Sequence, residues 1–431
     1  MQLNERKIIH NVRIVDICYL GNHYFIHNGK KYYISRALKD EIVDARILNK
    51  RLGYRIAEIE SIIEKSPYRI IPVCSYYNIC TACDFLHVIY NEQLKLKINI
   101  LKQSLNKYNI DFSDIEIIPS LSQINYRNNA TFKVFNINDK LTTGFVTSDK
   151  RFKEIDNCYL LNNRVNELNL IIRHWLNEKA EFAKYISGFT IRINSNDESI
   201  VIFLTDKKDK IDCNIFKDLE KYFIGIYIKA ENNFYCITEK KYFSEKINGI
   251  KFRIHPLSFF QNNYSIASEI VNFLNTKLCF ENKIIYDLYC GNGFISLSLK
   301  TNNRSKILGI DNNQYAINDA KQNAKLLQDK GESVYICGDV LKTFNEDFLL
   351  ENPKPDIIIL DPPRFGALIE VMKNIVRSKA EYVIYISCNP VSLAWNLSLI
   401  IENYKIQSLV VFDMFPQTKH LESVAILKRI I

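Results

Sequence analysis

The 431-residue sequence contains no stretch that approaches the uncharged apolar run of about 18–20 residues needed to cross a bilayer. Its opening, MQLNERKIIHNVRIVD, alternates charged with apolar side chains and lacks the apolar centre of a signal peptide. We therefore expect no membrane span and a cytoplasmic location. Disulfides are rare in that compartment, so the eleven cysteines are expected to be reduced thiols, metal ligands or catalysts.

Acidic side chains are also in short supply, because 48 aspartates and glutamates face 57 lysines and arginines and leave a net charge of +9. This excess suits a polyanionic partner, although many basic proteins bind no nucleic acid. A hydrophobic share of 47% and a charged share of 24% indicate a soluble globular protein. A chain of this length exceeds one ordinary core, so we expect two or three domains.

The first two regions of the chain differ in pattern. Residues 1–65 contain short alternating strands and the hairpin sequence Asn28-Gly29, which readily takes the positive φ angles of a tight turn. They predict a small OB-like β-barrel, with an ordinary β-subdomain as the alternative. Residues 66–250 mix strands and helices with few glycines or prolines, and predict an α+β central domain.

Residues 251–431 form the third region, in which strands and helices alternate as in an open doubly wound α/β sheet. We expect residues 91–124 to pack on this domain. Seven strands are predicted, one more than the six of a standard dinucleotide-binding fold. They are IIYDLY (284–289), KILGID (306–311), VYIC (334–337), DIIILD (356–361), YVIYIS (382–387), SLVVFDM (408–414) and SVAIL (423–427).

The first of these strands runs into an acid and a Gly-x-Gly turn, DLYCGNG (287–293). Ser296 stands where a pyrophosphate-binding fingerprint has its third glycine, which argues against NAD or FAD. Asp311 lies 24 residues after Asp287, a spacing that suits a hydrogen bond to a ribose 2′-hydroxyl. An adenosine cofactor without a pyrophosphate fits both facts, and S-adenosylmethionine is the obvious candidate. A structural turn beside a solvated acid is the alternative.

Asp361-Pro362-Pro363-Arg364 follows another buried strand and forms a rigid rim at the carboxyl edge of the sheet. An aromatic residue after the two prolines would indicate methylation of an exocyclic amine. Arg364 stands there instead, which weakens that interpretation. A plain strand-terminating turn is the alternative.

Cys388 ends the next strand, at the same edge of the sheet, and Pro390 cannot extend that strand because it has no amide donor. A thiol in this position faces the crevice, and its thiolate is a strong nucleophile. A buried inert cysteine is the alternative.

Three more cysteines, Cys74, Cys80 and Cys83, lie within ten residues, and Cys158 is a distant fourth. On spacing alone they suit a zinc ion, an iron–sulfur cluster or chance. The remaining cysteines are scattered and are interpreted as packing residues: Cys18, Cys213, Cys236, Cys279, Cys290 and Cys337.

Five motifs together resemble the S-adenosylmethionine-dependent RNA uracil-5-methyltransferases. They are FFQNN (259–263), DLYCGNG (287–293), DPPR (361–364), ISCNP (386–390) and DMFPQTKHLESVAIL (413–427). The resemblance runs through nearly the whole chain, and the order of the motifs is specific. It implies a Rossmann-like class I methyltransferase domain, and HNGKKYYISRALKDEIVDARI near the N-terminus loosely resembles the family's RNA-binding TRAM barrel.

The resemblance implies that Cys388 adds to C6 of uracil, which makes C5 nucleophilic towards a methyl group. Glu422 matches the family's base, which removes the C5 proton, although a lone glutamate often forms only a surface salt bridge. Phe294 departs from the family pattern, because many members carry a polar residue there. Residues matched to the cofactor site are Gln261, Tyr289, Asp311 and Asp361, and Asp339 is a further candidate for the adenine amine.

The spacing of Cys74, Cys80, Cys83 and Cys158 is similar to that of members with a [4Fe-4S] cluster, which implies a structural cluster here. Members act on 23S ribosomal RNA or on the T-loop of transfer RNA, and the barrel and cluster favour 23S ribosomal RNA. Arg127, in a Tyr-Arg-Asn motif, is a candidate RNA contact or a structural arginine. No protein partner is implied.

Two other interpretations stay open. One is a methyltransferase that acts on an exocyclic amine of a base and needs no nucleophilic cysteine. The other is a catalytically inactive RNA chaperone that keeps the fold, against which the intact Cys388 and Glu422 argue.

Overall fold

The computed structural model describes residues 7–48, 50, 53–147, 150–207, 212–231, 233–238, 242–299, 305–327 and 333–430. The ends of the first and last predicted domains, residues 1–6 and 431, lie outside this part. Within it the strands form four sheets, and no helix combines the length and apolar character needed to cross a membrane.

Six strands near the N-terminus form one mostly antiparallel sheet in the order β1-β5-β6-β4-β3-β2. Asn28 and Gly29 form the predicted β3–β4 turn, with φ of +50° and +68°. The sheet wraps around a small core that contains Phe25 and Val43. The strands are β1 (Ile8–Arg13), β2 (Asp16–Ile17), β3 (His23–His27), β4 (Lys30–Ile34), β5 (Ile42–Ile47) and β6 (Ile56–Glu64).

A helix and a short strand follow, α1 (Tyr90–Asn106) and β7 (Ile115–Ile118). The strand β7 joins the C-terminal sheet described below, and α1 packs in the same hydrophobic core. The next seven strands form a central sheet in the order β10-β9-β8-β11-β12-β13-β14. These strands are β8 (Asn129–Ile137), β9 (Lys140–Val146), β10 (Phe152–Glu154), β11 (Ile186–Ile193), β12 (Ser199–Thr205), β13 (Gly225–Ala230) and β14 (Asn233–Cys236).

Helices cover the aromatic core of the central sheet, where Trp175 packs against Phe203 and Phe216. They are α2 (Asn163–Glu178), α3 (Ala180–Ala183) and the 3-10 helix Cys213–Leu219. A hairpin of β15 (Phe243–Ile247) and β16 (Ile250–Ile254) then leads to α4 (Tyr264–Lys277). The expected boundary between residues 250 and 251 falls within this hairpin.

The C-terminal sheet has eight strands in the order β19-β18-β17-β20-β21-β23-β22-β7. All seven predicted strands are present, which confirms the doubly wound methyltransferase-like fold. The eighth, β7, comes from the stretch 91–124 and pairs in parallel with β22. The others are β17 (Ile284–Leu288), β18 (Lys306–Asp311), β19 (Ser333–Cys337), β20 (Ile357–Leu360), β21 (Tyr382–Ser387), β22 (Tyr404–Phe412) and β23 (Glu422–Arg429).

Helices on both faces bury these strands, and all four residues of β20 are buried, as a sheet covered on both sides requires. They are α5 (Phe294–Leu299), α6 (Gln314–Leu326), α7 (Val340–Thr343), α8 (Glu346–Glu351), α9 (Ile369–Ser378) and α10 (Pro390–Ser398). The strand order runs outward from β17 in both directions, through β18 on one side and β20 on the other. Ligands bind such sheets at the carboxyl ends of the strands on either side of this point.

A buried ion pair joins α1 to the loop 413–421, which precedes the last strand. The side chains of Lys97 and Asp413 are both fully buried and contact each other, and Tyr90 Oη donates to Asp413 Oδ2 at 2.7 Å. Lys97 Nζ also donates to the carbonyl of Phe415 at 2.9 Å. Residues near position 90 thereby hold the segment that leads to Glu422.

Candidate active site at the carboxyl edge of the sheet

Cys388 lies in the turn between β21 and α10, where its position at the end of a strand was predicted. Asn389 caps the helix, because its Oδ1 accepts from the amide of Val391 at 3.1 Å, and Pro390 occupies the first helical turn. The Asn389 Nδ2 atom also donates to the carbonyl of Arg364 at 2.7 Å. The thiol is partly buried. The hydrogen bond from Asn389 holds the Asp-Pro-Pro-Arg turn next to Cys388.

Glu422 meets Cys388 through the pairing of two antiparallel strands. Ser387 of β21 lies opposite Ser423 of β23. Because the strands are antiparallel, Cys388, which follows Ser387, is a neighbour of Glu422, which precedes Ser423. The Glu422 side chain is buried, with 4% of its surface exposed. The two residues predicted to be nucleophile and base therefore share one end of the sheet.

The electrostatics of the pair follow from burial among carboxylates. Burial, together with the charges of Glu422 and Asp361, raises the pKa of the Cys388 thiol to about 11. Burial also raises the pKa of Glu422 well above its ordinary value, and Asp361 adds to this shift. The positive charge of Arg364 opposes both shifts. The surroundings of Cys388 and Glu422 thus favour the protonated forms of both side chains.

The glycine turn after β17 is held by the acid at the end of β18. Gly291 and Gly293 have φ of +53° and +77°, and the amide of Gly291 donates to Asp311 Oδ2 at 2.9 Å. The Ser296 hydroxyl, at the position of the missing third glycine, donates to Asp287 Oδ2 at 2.5 Å. Asp311 thus lies against the turn, where its other oxygen accepts from the amide of Asn313.

One pocket beside this turn collects three of the predicted cofactor residues. Gln261, Tyr289 and Asp361 all line it, together with the glycine turn and Phe294, the residue that departs from the family pattern. Tyr289 has φ of +63°, a backbone conformation that is costly for a non-glycine residue and concentrates at functional sites.

The pocket is acidic. Burial raises the pKa of Asp361 to about 7, helped by the charge of Asp311, and burial likewise raises the pKa of Asp287 to about 7. Carboxylates that repel one another are stabilised by a cation, so this pocket favours a positively charged ligand such as a sulfonium.

Asp339 does not line the pocket. It is exposed and caps α7, since its Oδ1 accepts from the amides of Leu341 and Lys342 at 2.9 and 3.3 Å. It lies near enough to Tyr289 for its charge to contribute to the raised pKa of that residue. The described contacts give Asp339 a role in starting a helix, while its contact with adenine stays a prediction.

The four clustered cysteines line one cavity of about 540 Å³ between the loop 74–83 and the central sheet. Burial raises the pKa of Cys74, Cys83 and Cys158, and the charges of other cysteines in the group contribute to all three shifts. In the part of the chain that the structure describes, no three His, Cys, Asp or Glu side chains are grouped closely enough to hold a metal ion.

Arg127 lines this cysteine cavity, and it is not among the residues around Cys388. Its Nε atom is buried without a hydrogen-bond partner, and its charge lowers the pKa of Cys158. The structure therefore places the candidate RNA contact beside the thiols, where a cation would compensate negative charge.

Three of the six cysteines that were interpreted as packing residues are exposed, so that interpretation is wrong for them. Cys236 lies on the edge strand β14, Cys337 ends the edge strand β19, and Cys279 follows α4.

Sequence reasoning missed the cleft of about 200 Å³ beside Cys388 and two of the residues that line it, Tyr19 and His420. Tyr19 comes from the N-terminal sheet and belongs to no motif, so nothing local marked it. His420 lies within a quoted motif, two residues before Glu422, and that position could have indicated it. Burial lowers the pKa of His420 to about 4, which keeps it neutral.

Replacing Arg364 with glutamine should slow the alkylation of Cys388 by iodoacetamide at pH 8. Arg364 lowers the pKa of the thiol, so its loss should raise that pKa and reduce the thiolate fraction. The rate is measured by mass spectrometry of the peptide that contains Cys388. Arg364→Lys keeps a positive charge, so its alkylation rate should lie between those of R364Q and the wild type. Equal rates for R364Q and the wild type would contradict this role.

Comparisons with known proteins identify the family. The model of the tRNA (Uracil-5-)-methyltransferase family matches residues 89–430. A 23S rRNA (uracil(1939)-C(5))-methyltransferase of Legionella pneumophila is 27% identical, with 97% of this chain and 96% of that one covered. An uncharacterized RNA methyltransferase of Clostridium acetobutylicum is 28% identical, with 100% and 99% covered.

The fold also matches a solved structure, the tRNA (uracil-54, C5)-methyltransferase of Pyrococcus abyssi in complex with S-adenosyl-L-homocysteine. Its TM-score is 0.76 at 22% identity, with 97% of this chain and 100% of that chain covered. The resemblance inferred from the motifs is thus confirmed. The chain belongs to the tRNA (uracil-5-)-methyltransferase family and is an S-adenosylmethionine-dependent RNA uracil-5-methyltransferase.

Proposed function

We propose that this enzyme methylates C5 of a uridine in 23S ribosomal RNA by transient covalent addition of Cys388 to C6. The observation that carries the proposal is the meeting of Cys388 and Glu422 at one strand end, beside an acidic pocket. This chemistry needs a nucleophile that adds to C6 and a base near enough to remove the C5 proton.

The first step requires the Cys388 thiolate. Its Sγ forms a bond to C6 of the uracil, the C5–C6 double-bond electrons move towards O4, and C5 becomes nucleophilic. Arg364 assists, because its positive charge offsets part of the burial that disfavours the thiolate. When bound, S-adenosylmethionine supplies the electrophilic methyl group and a sulfonium charge that favours ionised neighbours.

The last step requires Glu422 as a carboxylate. It takes the proton from C5, the electron pair reforms the C5–C6 double bond, and the Cys388 sulfur leaves C6 as a thiolate. A raised pKa suits this task, because a carboxylate with a raised pKa is a stronger base. Gln261, Tyr289 and Asp361 would hold the cofactor at the acidic pocket, with Asp311 behind its glycine turn.

The target uridine must leave its stack to reach Cys388, which costs a few kcal/mol and least in an unpaired loop. A ribosomal target is supported by the full-length similarity to the Legionella 23S rRNA enzyme. It is also supported by the N-terminal sheet, which we propose is a TRAM-like RNA-binding domain. A transfer RNA T-loop uridine is the second candidate, because the Pyrococcus tRNA enzyme has the same fold.

We also propose that Cys74, Cys80, Cys83 and Cys158 hold a [4Fe-4S] cluster with a structural role. A zinc ion holds thiolate sulfurs about 2.3 Å away and draws them together, whereas a cluster takes one thiolate on each of four irons and keeps them apart. The four thiols that line one cavity supply the one thiolate per iron that such a cluster needs. Arg127, whose Nε atom is buried beside them, would balance the negative charge of the thiolates.

Replacing Glu422 with glutamine should make a covalent protein–RNA complex accumulate with ordinary substrate RNA and the methyl donor. Cys388 can still add, but nothing accepts the C5 proton, so elimination stops. The complex is measured as a band that survives denaturing electrophoresis. C388A should form none. Glu381→Gln, at the opposite end of β21 with an exposed side chain, is the matched control and should turn over normally.

RNA that carries 5-fluorouridine should trap the wild-type enzyme at Cys388, because fluorine cannot be removed as a cation. Full turnover by C388A, with no trapped peptide, would contradict the covalent mechanism and favour methylation of an exocyclic amine. Binding of RNA without any methylation would favour an inactive chaperone.

Cells that lack the enzyme should lose a 5-methyluridine from 23S ribosomal RNA. The modification is measured by mass spectrometry of nuclease digests of separated ribosomal and transfer RNA. Wild-type enzyme should restore it, and C388A should not. A loss confined to the T-loop of transfer RNA would refute the ribosomal target while leaving the chemistry intact.

Replacing any of the four clustered cysteines with serine should remove iron and acid-labile sulfide from enzyme purified without oxygen. The wild type should contain about four of each per chain, the content of one such cluster. Cys279→Ser is the matched control, because this exposed cysteine lies outside the cavity. Stoichiometric zinc in place of iron would contradict the proposal.

A further inference from the structure

The cleft beside Cys388 has walls from two distant parts of the chain. Arg364, Asn389 and His420 line one side, and Tyr19, Leu20 and Gly21 of the N-terminal sheet line the other. The cleft has a volume of about 200 Å³, which leaves room for a planar base such as uracil.

The loop 18–22, which carries Tyr19, is held tightly in place. The amide of Cys18 donates to the carbonyl of Asn22 at 2.9 Å, and the amide of Gly21 donates back to Cys18 at 2.8 Å. Gly21 has φ of +74°, and an added Cβ would lie 2.6 Å from the Cδ atom of Lys419. Only glycine therefore allows this loop to approach the segment that leads to Glu422.

Tyr19 is held at its hydroxyl group and over one face of its ring. Its hydroxyl lies 3.4 Å from the hydroxyl of Tyr54, and Lys107 Nζ lies 4.5 Å from its ring centre. The side chain is partly exposed, so it is an ordered aromatic ring with a free part at the cleft. Ordered aromatic rings next to cations are what proteins use to hold unpaired nucleotides.

Lys419 and Arg364 line the same cleft, and Lys107 lies over the ring of Tyr19. Lys419 is paired with Asp84 only loosely, at 3.7 Å, and Arg364 is exposed. These cations suit the phosphates on either side of an extruded nucleotide, whereas the neutral His420 suits the base itself.

We propose that the loop 18–22 forms the second wall of the pocket for the target nucleotide, and that Tyr19 stacks on its extruded pyrimidine base. This inference rests on the proposed methylation of a uridine at Cys388. It gives the N-terminal sheet a part in capturing the base at the reacting atoms, beyond any general affinity for RNA.

Tyr19→Ala should lower kcat/KM for methylation of the substrate RNA about tenfold or more, the loss expected for one base stack. Tyr19→Phe keeps the ring and should stay close to the wild type. The matched control is Tyr24→Ala, which removes another tyrosine of the same sheet that pairs with a lysine, at 4.1 Å, outside the cleft. Thermal melting of each variant checks that it folds.

Direct contact is tested with 5-iodouridine at the target position and irradiation of the Cys388→Ala variant, in which no covalent addition competes. The cross-linked peptide should contain Tyr19. Unchanged kcat/KM in Y19A, an equal loss in Y19F and Y19A, or a cross-link elsewhere would each overturn the inference. Failure of the wild type to methylate uridine would instead overturn the proposed function, and this inference with it.

Discussion

The buried contact between Lys97 and Asp413 is the constraint on which the active site depends. Both side chains are fully removed from solvent, and burial lowers the pKa of Lys97, which Asp413 opposes. A buried ion pair gains little over apolar packing, but the loss of one partner leaves an uncompensated charge and costs several kcal/mol. The pair therefore permits one arrangement of α1 against the loop 413–421, and Glu422 follows directly from that loop.

Further contacts extend this attachment to the cysteine cavity. Gln93 and Gln417 exchange two hydrogen bonds, at 2.8 and 3.0 Å. The amide of Phe85, two residues after Cys83, donates to the carbonyl of Gln417 at 2.9 Å. The segment that positions the base is thus held by α1 on one side and by the cysteine loop on the other. The cluster that we propose at these cysteines would therefore stabilise the same segment that leads to Glu422.

The parts that could be predicted from the sequence are those with a local cause. Apolar runs followed by an acid, a glycine pair or a cysteine predicted the strands and the residues at their carboxyl ends, because parallel strands bring those ends together. The strand β7 could not be predicted from its sequence. It has only four residues, one of them exposed, which is too short for a recognisable alternation of buried and exposed side chains, and its partner strand lies far along the chain. Tyr19 was missed for the same reason, as its place at Cys388 arises only from packing between sheets.

The pairing of β7 with β22 has a consequence for how the enzyme can be divided. An unpaired edge strand exposes amide and carbonyl groups that readily pair with another chain. The edge of the C-terminal sheet is covered by a strand from the first third of the polypeptide. The C-terminal sheet is therefore not an independent domain. A fragment that begins at residue 251 would lack β7 and would expose β22 as an unpaired, aggregation-prone edge strand. During translation, likewise, β7 can pair with β22 only after nearly the whole chain has been synthesised.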